Sequence, residues 1–143
     1  MDHGLHFQHA MLRVRDLDKA IHFWVDLMGL ELSSQKEYEK GRFTLVFLKD
    51  KYTDAKVELT YNWDEDAEYS NGRNFGHLAY TVDNIYETCS FLRENGIEIL
   101  RPPRDGHMAF IKTPDGISLE LLQKGESLPP QEPWSSMESS GSW

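Results

Sequence analysis

Cysteine is nearly missing from this chain of 143 residues, with Cys89 standing alone. A single thiol excludes an internal disulfide and a zinc site built on cysteines, and it suits a reducing compartment. Cys89 itself falls on the apolar face of a helix pattern and reads as core. Long apolar runs are missing too. No stretch approaches the roughly 20 residues of a membrane span, and the N-terminus lacks the basic-then-apolar order of a signal peptide. The expectation is a cytoplasmic protein with no membrane partner. Positive charge is scarce: Lys and Arg number 15 against 24 Asp and Glu, the formal net charge is −9, and no run of basic residues occurs. Such a chain repels a phosphate backbone, so nucleic acid is excluded as a partner. What remains, 39% hydrophobic and 12% aromatic residues, is enough for one domain, or two small halves, with a core that needs no staple.

The pattern along the chain is that of an α+β fold. Residues 7–14 alternate as a strand with His9, Met11 and Arg13 on one side. Asp16 then offers an N-cap, Leu17, Ile21, Trp24, Val25 and Met28 recur at helical spacing, and Gly29 supplies a stop. Strands are expected over 30–37, 42–48 and 55–62. In the last of these, Val57, Leu59 and Tyr61 share one face while Lys56, Glu58, Thr60 and Asn62 share the other. Residues 63–74 are acidic, polar and aperiodic, the character of a linker.

The same order then restarts. Residues 75–82 read as a strand, Asp83 or Asn84 caps a helix carrying Ile85, Cys89 and Leu92, and Gly96 ends it. Strands are expected over 97–100, 108–112 and 117–123, with Thr113-Pro114-Asp115-Gly116 as the last turn. From Lys124 the composition shifts to Ser, Pro, Glu and Gly, which reads as a flexible tail over 124–143. The chain thus divides into two tandem βαβββ modules, 1–62 and 75–123. Each alone would expose sheet edges and an apolar face, so the curved mixed sheets are expected to pair into a barrel-like cleft.

Each module carries the same two polar residues. Phe7-Gln8-His9 and Phe75-Gly76-His77 open the first strand of each, and Glu58 and Glu120 sit within Val-Glu-Leu and Leu-Glu-Leu on its last strand. A lone strand histidine is usually a hydrogen-bonded structural residue, and a lone strand glutamate is usually solvated. Placement twice in a repeat argues otherwise. Two imidazoles and two carboxylates suit a six-coordinate divalent transition metal, with positions left for water or substrate. His3, His6, His22 and His107 have no such counterparts and read as solvent-facing.

These stretches resemble the glyoxalase I enzymes of the vicinal oxygen chelate superfamily, in their short bacterial type. The resemblance rests on the run from His9 through Met11-Leu12-Arg13-Val14 to Ile21, on Glu58-Leu59-Thr60-Tyr61-Asn62-Trp63, on Phe75-Gly76-His77 and on Pro114-Asp115-Gly116 running into Glu120. It implies that His9, Glu58, His77 and Glu120 are the metal ligands. It also implies that Arg13, Asn62 and Arg73 hold the γ-glutamyl end of glutathione, and that Arg104 stands near a position that holds the glycine carboxylate. The implied reaction isomerises the hemithioacetal of methylglyoxal and glutathione to S-D-lactoylglutathione through an enediolate. Glu120 is expected as the base, loosening from the metal when substrate binds, with Glu58 serving the opposite face or the second proton transfer. The short chain and a His at position 9 imply nickel or cobalt over zinc, and a homodimer with His9 and Glu58 of one chain facing His77 and Glu120 of the other.

Three other readings compete. A thioester epimerase or an antibiotic thiol transferase would keep the metal, although Arg13, Asn62 and Arg73 favour glutathione over an acyl thioester. An extradiol dioxygenase needs two His and one carboxylate, one fewer carboxylate than here. A metal-free sequestering protein would have no need of four intact ligands.

Overall fold

The computed structural model describes residues 1–143, which form two units, Met1–Tyr69 and Ser70–Trp143. The boundary falls inside the expected linker, and Trp63 belongs wholly to the first unit. Its backbone N–H donates to the Arg42 carbonyl at 3.0 Å and its indole N–H to Thr44 Oγ1 at 2.8 Å. No helix is long and apolar enough to cross a membrane.

In the first unit, alternation of apolar residues makes a four-stranded mixed sheet. Strands β1 (His9–Arg13), β2 (Glu31–Tyr38), β3 (Phe43–Lys49) and β4 (Lys56–Asn62) lie in the order β1-β4-β3-β2. β1 runs parallel to β4 and the other pairs are antiparallel. Val46, Leu48, Val57 and Leu59 of the sheet are buried, as are Ala20, Phe23 and Trp24 of the intervening helix. That helix differs from the single amphipathic helix the spacing predicts. α1 (Leu17–Ile21), capped by Asp16 accepting from the Lys19 N–H at 3.0 Å, widens into a π-helical turn over His22–Leu27. Phe23 and Trp24, the two bulkiest residues of the segment, lie within this wider turn and are both buried. The wider turn, with the Met28 N–H reaching back to the Phe23 carbonyl at 2.9 Å, buries both in an edge-to-face pair at 5.4 Å.

In the second unit, β5 (His77–Val82), α2 (Ile85–Glu94), β6 (Met108–Lys112) and β7 (Ser118–Gln123) form a mixed sheet ordered β5-β7-β6. Asn84 caps α2, accepting from the N–H groups of Tyr86 and Glu87, and the buried Gln123 carboxamide accepts from the Ile85 N–H at 2.8 Å. The strand expected over 97–100 does not form. Ile99 and Leu100 are buried as a strand's apolar residues would be, but pairing is limited to one bridge between Arg101 and Phe110. Pro102 and Pro103, without N–H groups, cannot extend it. The second unit is therefore βαββ. Each unit thus contributes one open mixed sheet to an α+β fold.

Residues 124–143 were expected to be a flexible tail, yet they are tied to the second unit. Trp134 is 3% exposed with the Arg93 guanidinium 5.3 Å over its ring, a burial that contributes about 4 kcal/mol by apolar area. The Tyr86 hydroxyl donates to the Pro129 carbonyl at 2.8 Å, and the Leu128 N–H to the Gly106 carbonyl at 3.0 Å. Gly106 has no room for a side chain there: with φ +71°, an added Cβ would lie 2.0 Å from the Leu128 carbonyl oxygen.

Candidate metal and substrate site

The two units repeat one local arrangement. In the parallel pairing of β1 with β4, His9 lies opposite Lys56, so Glu58 follows two residues on, on the same face. In β5 with β7, His77 lies opposite Ser118 and Glu120 follows two residues on. Each histidine consequently meets its glutamate. His9 Nε2 lies 2.8 Å from Glu58 Oε2, and His77 Nε2 lies 3.5 Å from Glu120 Oε1. Two donors bound at right angles about 2.1 Å from one ion stand about 3 Å apart, so each pair fits two neighbouring corners of an octahedral site. No group of three or more His, Cys, Asp and Glu residues gathers closely enough to hold a metal ion. The structure brings the four candidates together as two pairs.

A third residue joins each pair. Phe47 lies opposite Glu58 across β3–β4, and Phe110 lies opposite Glu120 across β6–β7. Each phenyl meets its histidine edge to face, at 5.6 Å for His9 and 5.1 Å for His77. The repeat itself was the signal that could have found them, since both occupy the same register position in their units.

The support behind each histidine differs. His9 Nδ1 contacts the carboxamide oxygen of Gln8. That contact orients the imidazole from behind, with Nε2 directed at Glu58. At the corresponding position before His77 stands Gly76, which has no side chain to offer.

Four residues along the same two strands lies a second cluster. Arg13, Asn62, Arg42, Asp64, Glu65 and Tyr69 line an open concavity of about 430 Å³. Strand rise places it about 13 Å from the His9–Glu58 pair. Two of the substrate residues expected from sequence, Arg13 and Asn62, therefore share one hollow. Arg42 and Asp64, which sequence reasoning missed, form its rim. Arg42 sits in the left-handed region at φ +57°, uncommon for a residue with a side chain, and donates from Nε and Nη2 to the two Asp64 oxygens at 2.6 and 2.9 Å. This fork holds the Asp64 carboxyl below the usual carboxylate range.

The other expected residues belong to the second unit. Arg73 is exposed in the turn preceding β5. Arg104 is engaged, its Nη1 donating to the Met137 carbonyl at 2.9 Å and to Ser139 Oγ at 3.2 Å. Cys89 is fully buried in α2, and burial pushes its thiol up to about 12, so it is no nucleophile at neutral pH. His107, expected to face solvent, has its Nδ1 buried without a hydrogen-bond partner.

Residues 6–121 match the sequence profile of the Glyoxalase/Bleomycin resistance protein/Dioxygenase superfamily. The chain is 40% identical over 122 residues to the lactoylglutathione lyase of Haemophilus influenzae, covering 80% of this chain and 90% of that one. Its fold is similar to the trypanothione-dependent glyoxalase I of Leishmania major, with a TM-score of 0.77 and 31% identity over 84% of this chain and 87% of that one. It is also similar to glyoxalase I from Zea mays, with a TM-score of 0.75 and 32% identity, covering 84% of this chain but 45% of the maize chain.

Proposed function

The chain belongs to the Glyoxalase/Bleomycin resistance protein/Dioxygenase superfamily, and from that premise we propose that it is a lactoylglutathione lyase. It isomerises the hemithioacetal of methylglyoxal and glutathione to S-D-lactoylglutathione. The observation that carries this reading is the face shared by β1 and β4, with a His–Glu pair at one end and an arginine–asparagine hollow at the other. A substrate with a reacting centre at one end and a charged amino acid at the other suits that spacing.

His9 and His77 would hold a divalent ion through Nε2, and Glu58 and Glu120 through their carboxylates. Such an ion supplies Lewis-acid stabilisation of the negative charge developing on two adjacent substrate oxygens. Glu120 takes the proton from the carbon bearing sulfur, and Glu58 serves the other face or the return of the proton to the neighbouring carbon. A positioned carboxylate contributes about 10²–10⁴-fold to such a transfer. Arg13 binds the α-carboxylate of the γ-glutamyl group, where the guanidinium fork matches two oxygens. Asn62 hydrogen-bonds the same end, and the carboxylates lining that hollow suit its ammonium group. Arg73 adds a second cation to it, while Arg104, held by residues 137 and 139, reaches the glycine carboxylate with its remaining N–H groups.

The enzyme works in the cytoplasm with nickel or cobalt, and as a homodimer in which His9 and Glu58 of one chain complete a site with His77 and Glu120 of the other. The coverage of the maize chain, 45%, supports this, because a chain of that length has room for two copies of the matched region. The test is spectrophotometric thioester formation from methylglyoxal and glutathione, using chelator-stripped protein with nickel, cobalt or zinc restored separately. Nickel or cobalt is expected to restore the most activity. Metal binding without turnover on glutathione, but with turnover on trypanothione, would move the proposal to another thiol; no turnover with either would overturn it.

A further inference from the structure

We propose that Trp143 is a positioning residue for His77, acting through Phe110. This rests on the reading of His77 and Glu120 as metal ligands. The Trp143 ring lies against Phe110 in a stacked arrangement, with centroids 5.9 Å apart and planes 27° from parallel, and Phe110 in turn meets the His77 imidazole edge-on at 5.1 Å and 88°. The two contacts fall on one phenyl ring. Its position is set by Trp143 on one side, and it limits the rotation of His77 on the other.

The segment that delivers Trp143 is fastened just before it. The Ser140 N–H donates to the Leu100 carbonyl at 2.8 Å, Ser140 Oγ donates to Glu98 Oε1 at 2.8 Å, and Arg104 holds Met137 and Ser139 from the other side. Further back, Trp134 is buried. The family match ends at residue 121, so the device belongs to this chain rather than to the family pattern.

The need for it follows from the repeat. His9 is oriented by the Gln8 carboxamide as well as by Phe47, whose ring lies 5.9 Å from the Lys56 ammonium. His77 follows a glycine and has no such neighbour. Its imidazole keeps the freedom to turn away from Glu120 except where Phe110 blocks it. A ligand that must be ordered on binding weakens the site, and partners behind the ligands tune metal affinity by about 10- to 100-fold in general. An aromatic contact acting one ring removed has a smaller effect, about 3- to 10-fold.

The experiment is calorimetric titration of nickel into chelator-stripped protein for the wild type, Trp143→Ala, Trp143→Phe, Phe110→Leu and the double variant Trp143→Ala/Phe110→Leu. The visible absorption of the cobalt forms is recorded alongside. Trp143→Ala is expected to bind nickel about 3- to 10-fold more weakly with an altered cobalt spectrum, and Trp143→Phe to restore both. Its unfolding temperature should hardly move, because Trp143 is 46% exposed and Trp134 still anchors the segment. The double variant should be no weaker than Phe110→Leu alone, since both changes break one chain of contacts. Wild-type affinity and spectrum in Trp143→Ala, or additive losses in the double variant, would overturn the inference while leaving the metal reading intact. A wild type that binds no nickel or cobalt would overturn the metal reading and this inference with it.

Discussion

The first unit holds its histidine close to its glutamate and the second holds the same pair further apart, 2.8 Å against 3.5 Å. Around these pairs the sheets also differ. Glu58 on β4 and Glu120 on β7 each have a strand on either side, but the first sheet has four strands and the second only three, because residues 97–100 do not extend it. Behind His9 stands a carboxamide; behind His77 stand two stacked rings. The repeat preserves the His–Glu residue types and their register while the surroundings of each pair differ. It also suggests a division of labour. The tightly supported pair suits a fixed anchor for the metal, and the looser pair suits a carboxylate that must change partners during turnover.

The largest expected effect breaks that division directly. Glu120→Gln should lower kcat by about 10³-fold while metal binding is largely retained, and Glu58→Gln should lower it less. Steady-state kinetics beside metal analysis decides this, and equal losses would erase the distinction between the pairs. Next comes the hollow lined by Arg13 and Asn62 in the first unit. Arg13→Ala should raise KM for the glutathione hemithioacetal about 10- to 100-fold with little change in kcat, the loss of a charge-assisted pair made in ground and transition states alike. A smaller effect is expected from Gln8→Ala, which should weaken nickel binding about 10-fold by removing the contact that orients the His9 imidazole. If it matched the wild type in calorimetry, the carboxamide would not be the support that distinguishes the first histidine from the second.

The smallest effect concerns the second unit's core. With its folded value raised to about 12 by burial, the Cys89 thiol favours the native state fully below the ordinary thiol pKa. That contribution is lost as pH rises from about 9 toward 12. At pH 8 a thiol reagent should label Cys89 only after denaturation, as intact-mass measurement would read. Rapid labelling of native protein would show that the second unit opens far more readily than its buried helix implies.

Much of this was legible in the sequence because period-two alternation and helix caps are local signals. Asp16 and Asn84 cap where their positions predict, and the strands ending at Asn62 and Gln123 lie within a residue of their expected starts. The His–Glu pairing was legible because it occurs twice. What local patterns could not carry depends on contacts distant in sequence. The apolar residues Ile99 and Leu100 look like strand yet lead into Pro102-Pro103, and the helix holding Phe23 and Trp24 widens where its spacing reads as regular. A Ser- and Pro-rich segment reads as flexible by composition, but Trp134 and hydrogen bonds to Gly106 and Leu100 fasten it. Arg42 at φ +57° was not legible either, since its partner Asp64 lies 22 residues on.

The proposed function takes each His–Glu pair as half of one metal centre rather than a site of its own. The most direct test is the number of nickel ions bound per chain by chelator-stripped protein at saturation. One per chain is predicted, and it should disappear in both His9→Ala/Glu58→Ala and His77→Ala/Glu120→Ala. Two per chain, with one surviving in each double variant, would contradict it.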